Sequence, residues 1–341
     1  MGNDAVHRDR VAACLRALGR DHTIVRYEVL QGGISGAPTY RVHLANEQVV
    51  LKIAAETSPP GVLACARREI HFYRDLADSI PLQIPAVLGT ISDTSASCLC
   101  LRAYQVAPPI ETWSERHYRE IAGQLGQFHA AFWKRTEELS HLSWLRQLAS
   151  PPDGTTLQHA TESWHALAGL PNYQTVLTSA EIAWIEAMVS HMDYTDSVLQ
   201  AFPMTLCHGD CHHGNLLMDG DGEWRWADWQ EVGIGRGPED LSFFLQRARM
   251  AGGAVPEDAV VRAYHQCLEA AAGQSIRLTT VKQVVDASEL RTLLLLWPPF
   301  LSRVPVQQLR EIVRRLHLLT DRLGLARQTQ DNCESLKPCL P

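Results

Sequence analysis

Two carboxylates and an amide are spaced for phosphate chemistry in Cys207-His208-Gly209-Asp210-Cys211-His212-His213-Gly214-Asn215, followed by Trp226-Ala227-Asp228-Trp229. Asn215 lies five residues beyond Asp210, and Asp228 lies 18 beyond it. A carboxylate at Asp210 can accept or orient the proton of a hydroxyl, whereas Asn215 and Asp228 supply the hard oxygen ligands that hold Mg²⁺ on phosphates. Short runs at 216–218 and 223–227 read as two strands carrying these groups, with Asp219-Gly220-Asp221-Gly222 as the turn between them. The same segment offers Cys207, His208, Asp210, Cys211, His212 and His213 as zinc ligands. Adjacent residues of a tight loop cannot all turn inward, and no second Cys/His cluster with ligand spacing follows, so zinc is the minor reading.

His208-Gly209-Asp210-x-x-x-x-Asn215 resembles the catalytic loop of aminoglycoside phosphotransferases and the related choline-kinase-like small-molecule kinases. Asp228-Trp229 resembles their metal-binding aspartate, and Gly233-x-Gly235-x-Gly237-Pro238-x-Asp240-Leu241 resembles the stretch that follows it. The resemblance implies a Mg²⁺-dependent transfer of a γ-phosphoryl group from ATP or GTP to an alcohol. It also implies an α+β, protein-kinase-like bilobal fold, with a small β-rich N-lobe and a larger, mostly helical C-lobe. By the same resemblance His208 is structural and holds the loop. Asp240, after a Gly-Pro turn, is expected to cap the following helix. Glu231, Glu239 and His212 are the candidates for contact with the acceptor, although His212 and His213 can equally line the cleft without a chemical role.

Such an enzyme needs a phosphate-covering loop, a lysine and a carboxylate for that lysine. Gln31-Gly32-Gly33-Ile34-Ser35-Gly36-Ala37 lies between two expected strands, and Gly33, Ser35 and Gly36 would let backbone N–H groups approach phosphate. It lacks the G-x-x-x-x-G-K-[ST] pattern and opens no helix, which excludes Walker-type and dinucleotide-binding folds. Val49-Val50-Leu51-Lys52-Ile53 places a lysine inside an apolar strand, where it is costly unless paired. Glu69 on the next helix would be its partner, as in the family's Lys–Glu pair, with Lys52 bridging the phosphates. Backbone groups around Arg102 and Tyr104, at the junction between lobes, would read the nucleobase. His129 reads as a satisfied core histidine.

The elements that must position these residues follow from periodicity. An amphipathic helix over 4–18 precedes β-branched runs at 24–30, 39–44 and 48–54, the signature of a small antiparallel sheet. A helix at 61–76, a Pro-bounded segment near 84–87 and a strand at 97–103 complete the first lobe. From Pro108 onward the pattern is helical, at 118–133, 180–190, 256–272, 281–296 and 306–323. Residues 150–172 read as loop and, with the helices beyond Pro256, are expected to form the acceptor pocket. The boundaries expected are 1–104 for a nucleotide-binding lobe, 105–327 for a catalytic and acceptor-binding lobe, and 328–341 for a poorly ordered tail.

Composition narrows the partners. The 341 residues carry 31 basic and 38 acidic side chains, a net charge of −7, which argues against a nucleic-acid binder. Residues 1–104 hold 11 basic and 10 acidic side chains, so the excess acid lies in the second lobe. That balance favours a cationic small-molecule acceptor, an aminoglycoside-type antibiotic first, with choline, homoserine, thiamine-like or sugar acceptors as the alternative. A nucleotide-binding protein without catalysis is the third reading. Nine cysteines without a C-x-x-C pair, and an N-terminus without an apolar core, point to a cytoplasmic protein with reduced thiols. The longest apolar run, nine residues at 293–301, contains Pro298-Pro299, cannot span a bilayer and reads as a buried helix end. A monomer or homodimer is expected. Only four of the 31 basic residues are lysines, and Lys52 alone sits in an apolar strand.

Overall fold

The computed structural model describes residues 2–20, 23–30 and 38–325. The first part is an antiparallel sheet of five strands, β1 (Arg26–Leu30), β2 (Thr39–His43), β3 (Gln48–Ala55), β4 (Val87–Ser92) and β5 (Ala96–Arg102), in the order β1-β2-β3-β5-β4. Alternation along β3 decides what faces what. Val49, Leu51 and Ile53 are buried with Tyr40, Val42, Cys98 and Cys100 under Val11 and Leu15 of α1 (Gly2–Ala17). Val50 and Lys52 therefore point to the opposite face, where Ile70 of α2 (Val62–Asp75) packs with Leu99 and Leu101. The sequence pattern missed β4, an edge strand opening with the exposed Val87 and a register shift before Gly89.

The second part is helical: α3 (Glu115–Ala131), α4 (Gly154–Ala168), α5 (Ser179–Ser190), α6 (Met192–Gln200), α7 (Gly237–Met250), α8 (Glu257–Ala272), α9 (Leu278–Arg291) and α10 (Val306–Arg322). Two three-stranded sheets accompany the helices. One orders β10 (Trp224–Trp226), β9 (Leu216–Met218) and β6 (Gln105–Val106); the other orders β7 (Arg146–Gln147), β11 (Gly233–Gly235) and β8 (Thr205–Cys207). One continuous core runs from Phe72 of α2 through α3, α7, α8 and α9 to Leu325. Among the described residues no helix is long and apolar enough to cross a membrane. The seven described cysteines are free. Gly33, Ser35, Gly36 and the tail at 328–341 lie outside the described residues.

Two expectations need correction. Residues 150–172 are not a loop: Asp153 caps α4 by accepting the Thr156 N–H at 2.8 Å, and Ala160, Trp164 and Leu167 form its buried stripe. The run 293–301 is only partly a buried helix end. After α9 the chain makes a π-turn over Thr292–Leu296 and a 3₁₀ segment over Pro298–Arg303, which bury Leu293–Leu295 but leave Leu296 and Phe300 52% and 70% exposed.

Close packing of α3 on α8 depends on Gly126. A Cβ there would lie 2.6 Å from the Tyr264 carbonyl oxygen and 2.9 Å from the Leu268 nitrogen. Both obstacles are backbone and cannot swing aside. Gly126→Ala is expected to lower the unfolding free energy by about 1–3 kcal/mol, read by denaturant titration.

Candidate active site

β8 delivers the chain into a loop that only glycine can turn. Gly209 has φ +81°, and a Cβ on it would sit 2.2 Å from the Glu231 carbonyl oxygen. His208 is fully buried beside it, and burial holds its pKa below the usual histidine range. A neutral ring satisfies both neighbours, with Nε2–H donating to the Ala227 carbonyl at 3.1 Å and Nδ1 accepting the Asp210 N–H at 3.3 Å. This is the holding role expected for His208.

Asp240 does not cap α7. The box at that terminus is made by Arg236 and Glu239, whose carboxylate accepts the Arg236 N–H at 3.3 Å. Asp240 instead accepts the His208 N–H at 2.6 Å and the Gly209 N–H at 3.0 Å, so it holds the loop from beneath. His129 lies against it, Nε2 to Oδ2 at 3.3 Å, and meets the Tyr264 hydroxyl through Nδ1 at 2.9 Å. His129 is thus a satisfied core histidine. Asp240→Ala would orphan two backbone N–H groups and is expected to cost about 2 kcal/mol or more. Turnover should fall with little change in nucleotide affinity, and Asp240→Asn, which keeps one accepting oxygen, should lie between.

Asn215 Nδ2 donates to both the Asp210 carbonyl, at 2.9 Å, and its carboxylate Oδ2, at 3.2 Å. His212 accepts the Gly214 N–H through Nδ1 at 3.0 Å and brings Nε2 within 3.7 Å of the same Oδ2. Burial opposes ionisation of Asp210, but His212, His208 and Asn215 together hold its pKa below the usual aspartate range. The Ala227 N–H donates to the Asn215 carbonyl at 2.9 Å, which joins the loop to the strand leading to Asp228.

Asp228 adopts a left-handed conformation, φ +68° and ψ +60°, rare for a side chain other than Asn or Asp. Its Oδ1 accepts from Lys52 Nζ at 2.6 Å, and the same ammonium donates to both oxygens of Glu69, at 2.8 and 2.9 Å. Burial works against the charge on Lys52, yet the two carboxylates keep it above the usual lysine range. Glu69 is only 2% exposed. Phe72, one turn along α2, stacks on Trp229 with ring centroids 4.0 Å apart and planes 7° apart, fixing α2 to the Asp228 segment.

Lys52, Glu69 and Asp228 therefore meet at one point, and Asp210, Asn215 and His212 at a second, joined through Asn215 and Ala227. Around the expected nucleobase site, Arg102 N–H donates to the Ala86 carbonyl, Ala103 N–H to Gln48, and the Tyr104 carbonyl accepts from Arg41. Of the groups expected to read a base there, the Ala103 carbonyl and the Tyr104 N–H keep no such bond among the described residues. Glu231 and Glu239, the carboxylates offered for contact with the acceptor, are both ion-paired. Glu231 is ion-paired with Arg146, has Arg68 at 4.0 Å and accepts from the Cys65 thiol at 3.4 Å. Glu239 is ion-paired with Arg291 and faces Arg236 at 3.8 Å. The zinc reading fails on geometry. Of its six residues only Cys207 joins a potential ligand group among the described residues, with His129 and Asp240, and Asp240 is already occupied by two N–H groups.

A cavity of about 530 Å³ is lined by Gly209 of the loop, by the buried Cys207 and Asp240, and by residues of α7 and of the segment after α9.

A family model described as a phosphotransferase enzyme family matches residues 26–274. No curated protein matches the sequence. Among solved structures, the GDP complex of an aminoglycoside 2'-phosphotransferase mutant is 14% identical, with 94% of this chain and 97% of that one covered at a TM-score of 0.59. A choline kinase from Streptococcus pneumoniae is 12% identical, covering 95% and 99% at 0.55. A microcompartment-associated aminopropanol kinase is 12% identical, covering 94% and 97% at 0.55. Likeness at this identity is one of fold, an α+β arrangement with a β-rich sheet region and a helical region.

Proposed function

Since the chain belongs to the phosphotransferase enzyme family, we propose that it moves the γ-phosphoryl group of ATP or GTP to a hydroxyl of a small molecule. The observation that carries this reading is the single ammonium of Lys52 shared by Glu69 and Asp228, with Asp210 and Asn215 on the adjoining loop. In this reading residues 1–104 bind the nucleotide and 105–327 carry the acceptor and the catalytic groups.

Lys52, positioned by Glu69, neutralises phosphate charge. Gly33, Ser35 and Gly36 are the residues proposed to contact the phosphates; on either side of them in the sequence Leu30 and Thr39 pair, and Thr39 lies directly opposite Lys52 in the sheet. Asn215 and Asp228 fit a magnesium ion by donor chemistry. Asn215 spends its Nδ2 on Asp210, leaving the amide oxygen, and Asp228 keeps Oδ2 with only a 3.5 Å contact from Gln230. Bound there, magnesium would neutralise the charge of the transferring phosphoryl group. Asp210 orients the acceptor hydroxyl and receives its proton, with His212 Nε2 facing the carboxylate.

An aminoglycoside-type acceptor is the reading favoured by the acidic balance of the second lobe, but the carboxylates offered for it, Glu231 and Glu239, are already ion-paired. A coupled assay of nucleoside diphosphate release, ADP from ATP or GDP from GTP, with and without Mg²⁺ and over a panel of hydroxyl compounds, tests the reaction. Release that no acceptor stimulates would favour a nucleotide-binding protein without transfer. Because the folded-state pKa of Asp210 is lowered, the base stays ionised through the neutral range, and the acid limb of kcat/KM is expected below the ordinary aspartate range. An acid limb near pH 6.5 would instead assign the base to a histidine.

A further inference from the structure

The cavity that reaches Gly209 of the loop is lined in a way that names an acceptor class, an inference that rests on the phosphotransferase reading. Gly209 of its lining is the chain neighbour of Asp210, and a molecule that extends from the cavity past Gly209 would bring a hydroxyl to that carboxylate. Its walls are apolar and aromatic, chiefly Leu148, Phe243, Leu296, Trp297, Phe300 and Val304. The outer wall is the π-turn and the 3₁₀ segment after α9. Trp164 Nε1 donates to the Leu294 carbonyl at 2.9 Å, and the Tyr173 hydroxyl lies 2.9 Å from the Leu301 carbonyl and 2.6 Å from that of Val304. That wall is pinned in place, and Leu296 and Phe300 remain exposed at its rim.

The polar groups of the lining run the other way from the lobe's charge. Both acidic residues are committed, Glu239 to Arg291 and Asp240 to the catalytic-loop N–H groups. Three arginines face them, Arg236, Arg247 and Arg291. Arg247 has no carboxylate partner among the described residues, and the Nε of both Arg236 and Arg247 is buried without one. A guanidinium in the lining without a carboxylate partner, as Arg247 is, gains from an oxygen acceptor placed against it. An ammonium placed here would lose its hydration against apolar walls and meet arginine charge.

We propose that the acceptor is an amphipathic hydroxyl compound, with an apolar body on the aromatic wall and an oxygen-accepting group, a carboxylate in the strongest case, taken by Arg247 and Arg236. It is the opposite of a polycation.

Three probes separate the classes: 12-hydroxydodecanoate, 12-aminododecan-1-ol and kanamycin, titrated calorimetrically against the full chain with Mg²⁺-ADP present. The hydroxy acid is expected to bind at least tenfold tighter than the amino alcohol, and kanamycin weakest. Arg247→Ala should shrink the preference for the acid to under threefold, while Phe300→Ser should weaken both long-chain probes together; thermal melts confirm that each variant folds. Tighter binding of kanamycin or the amino alcohol, equal binding of the two chains, or no binding of the hydroxy acid at millimolar concentration overturns the proposal. Mg²⁺-ADP is titrated separately. Failure to bind it overturns the kinase reading, whereas nucleotide binding with the wrong probe order overturns only the acceptor class.

Discussion

Asp210→Asn is expected to leave a folded protein that still binds nucleotide but transfers phosphoryl groups about 10³-fold more slowly. The substitution is nearly isosteric, so the packing of the loop and the Asp240 contacts beneath it are retained. The new amide can turn its oxygen toward Asn215 Nδ2 and so keep the contact now made at 3.2 Å. What disappears is the anion that can receive a proton, the same anion that His208, His212 and Asn215 hold ionised. The loss should therefore appear in kcat, with the nucleotide dissociation constant within about threefold of wild type. Single-turnover ADP release beside equilibrium nucleotide binding separates the two quantities. Comparable turnover in variant and wild type across several acceptors would remove Asp210 from the base role.

Lys52→Ala should be the most damaging change to both stability and nucleotide use. It leaves Glu69 and Asp228 facing each other in a site where Glu69 is buried, and removing one member of a buried ion pair costs about 3–5 kcal/mol. Asp228 is partly open to solvent, which places the expected loss near the lower end of that range. The pKa of Lys52 is raised, so its contribution is complete below the ordinary lysine value near 10.5 and fades only at more alkaline pH. A measurement at pH 7 sees all of it. In the variant, burial and Asp228 drive the Glu69 pKa further upward without Lys52 to oppose them, so protonation relieves the strain and the deficit should narrow toward pH 5. The double variant Lys52→Met with Glu69→Gln removes both charges and should recover much of the stability in denaturant titrations while remaining inactive. Recovery of activity in that double variant would contradict the phosphate role of Lys52.

The parts of the site legible in the sequence are those whose geometry is local. Five residues of loop fix Asn215 against Asp210, and strand alternation alone sends Lys52 to the α2 face where Glu69 lies. Asp240 was misread because its partners are backbone N–H groups 31 and 32 residues earlier, and neither periodicity nor spacing marks a backbone partner. The acidic balance of the second lobe is a coarser signal for a related reason. Several of its carboxylates are paired with arginines, as Glu289 is with Arg249 and Arg315, so a lobe-wide charge says little about the lining of one cavity. α4 was hidden by a first turn of Gly154, Thr155 and Thr156, all poor helix formers, although the Asp153 cap was there to be read. The scarcity of lysine did carry information, since Lys52 is the lysine that the structure places between two carboxylates.

One ammonium serving two carboxylates makes the anion and cation sites of the proposed reaction a single thermodynamic system. Phosphate that drew Lys52 toward itself would loosen its hold on Asp228 and leave that carboxylate freer for a divalent cation. A cation held by Asp228 would in turn free Lys52 for phosphate. Linkage then requires each ligand to tighten the other by the same factor, whichever arrives first. A cell holding little of either would keep the site closed to both, and the pair at Lys52 would act as a coincidence detector for nucleotide and metal together.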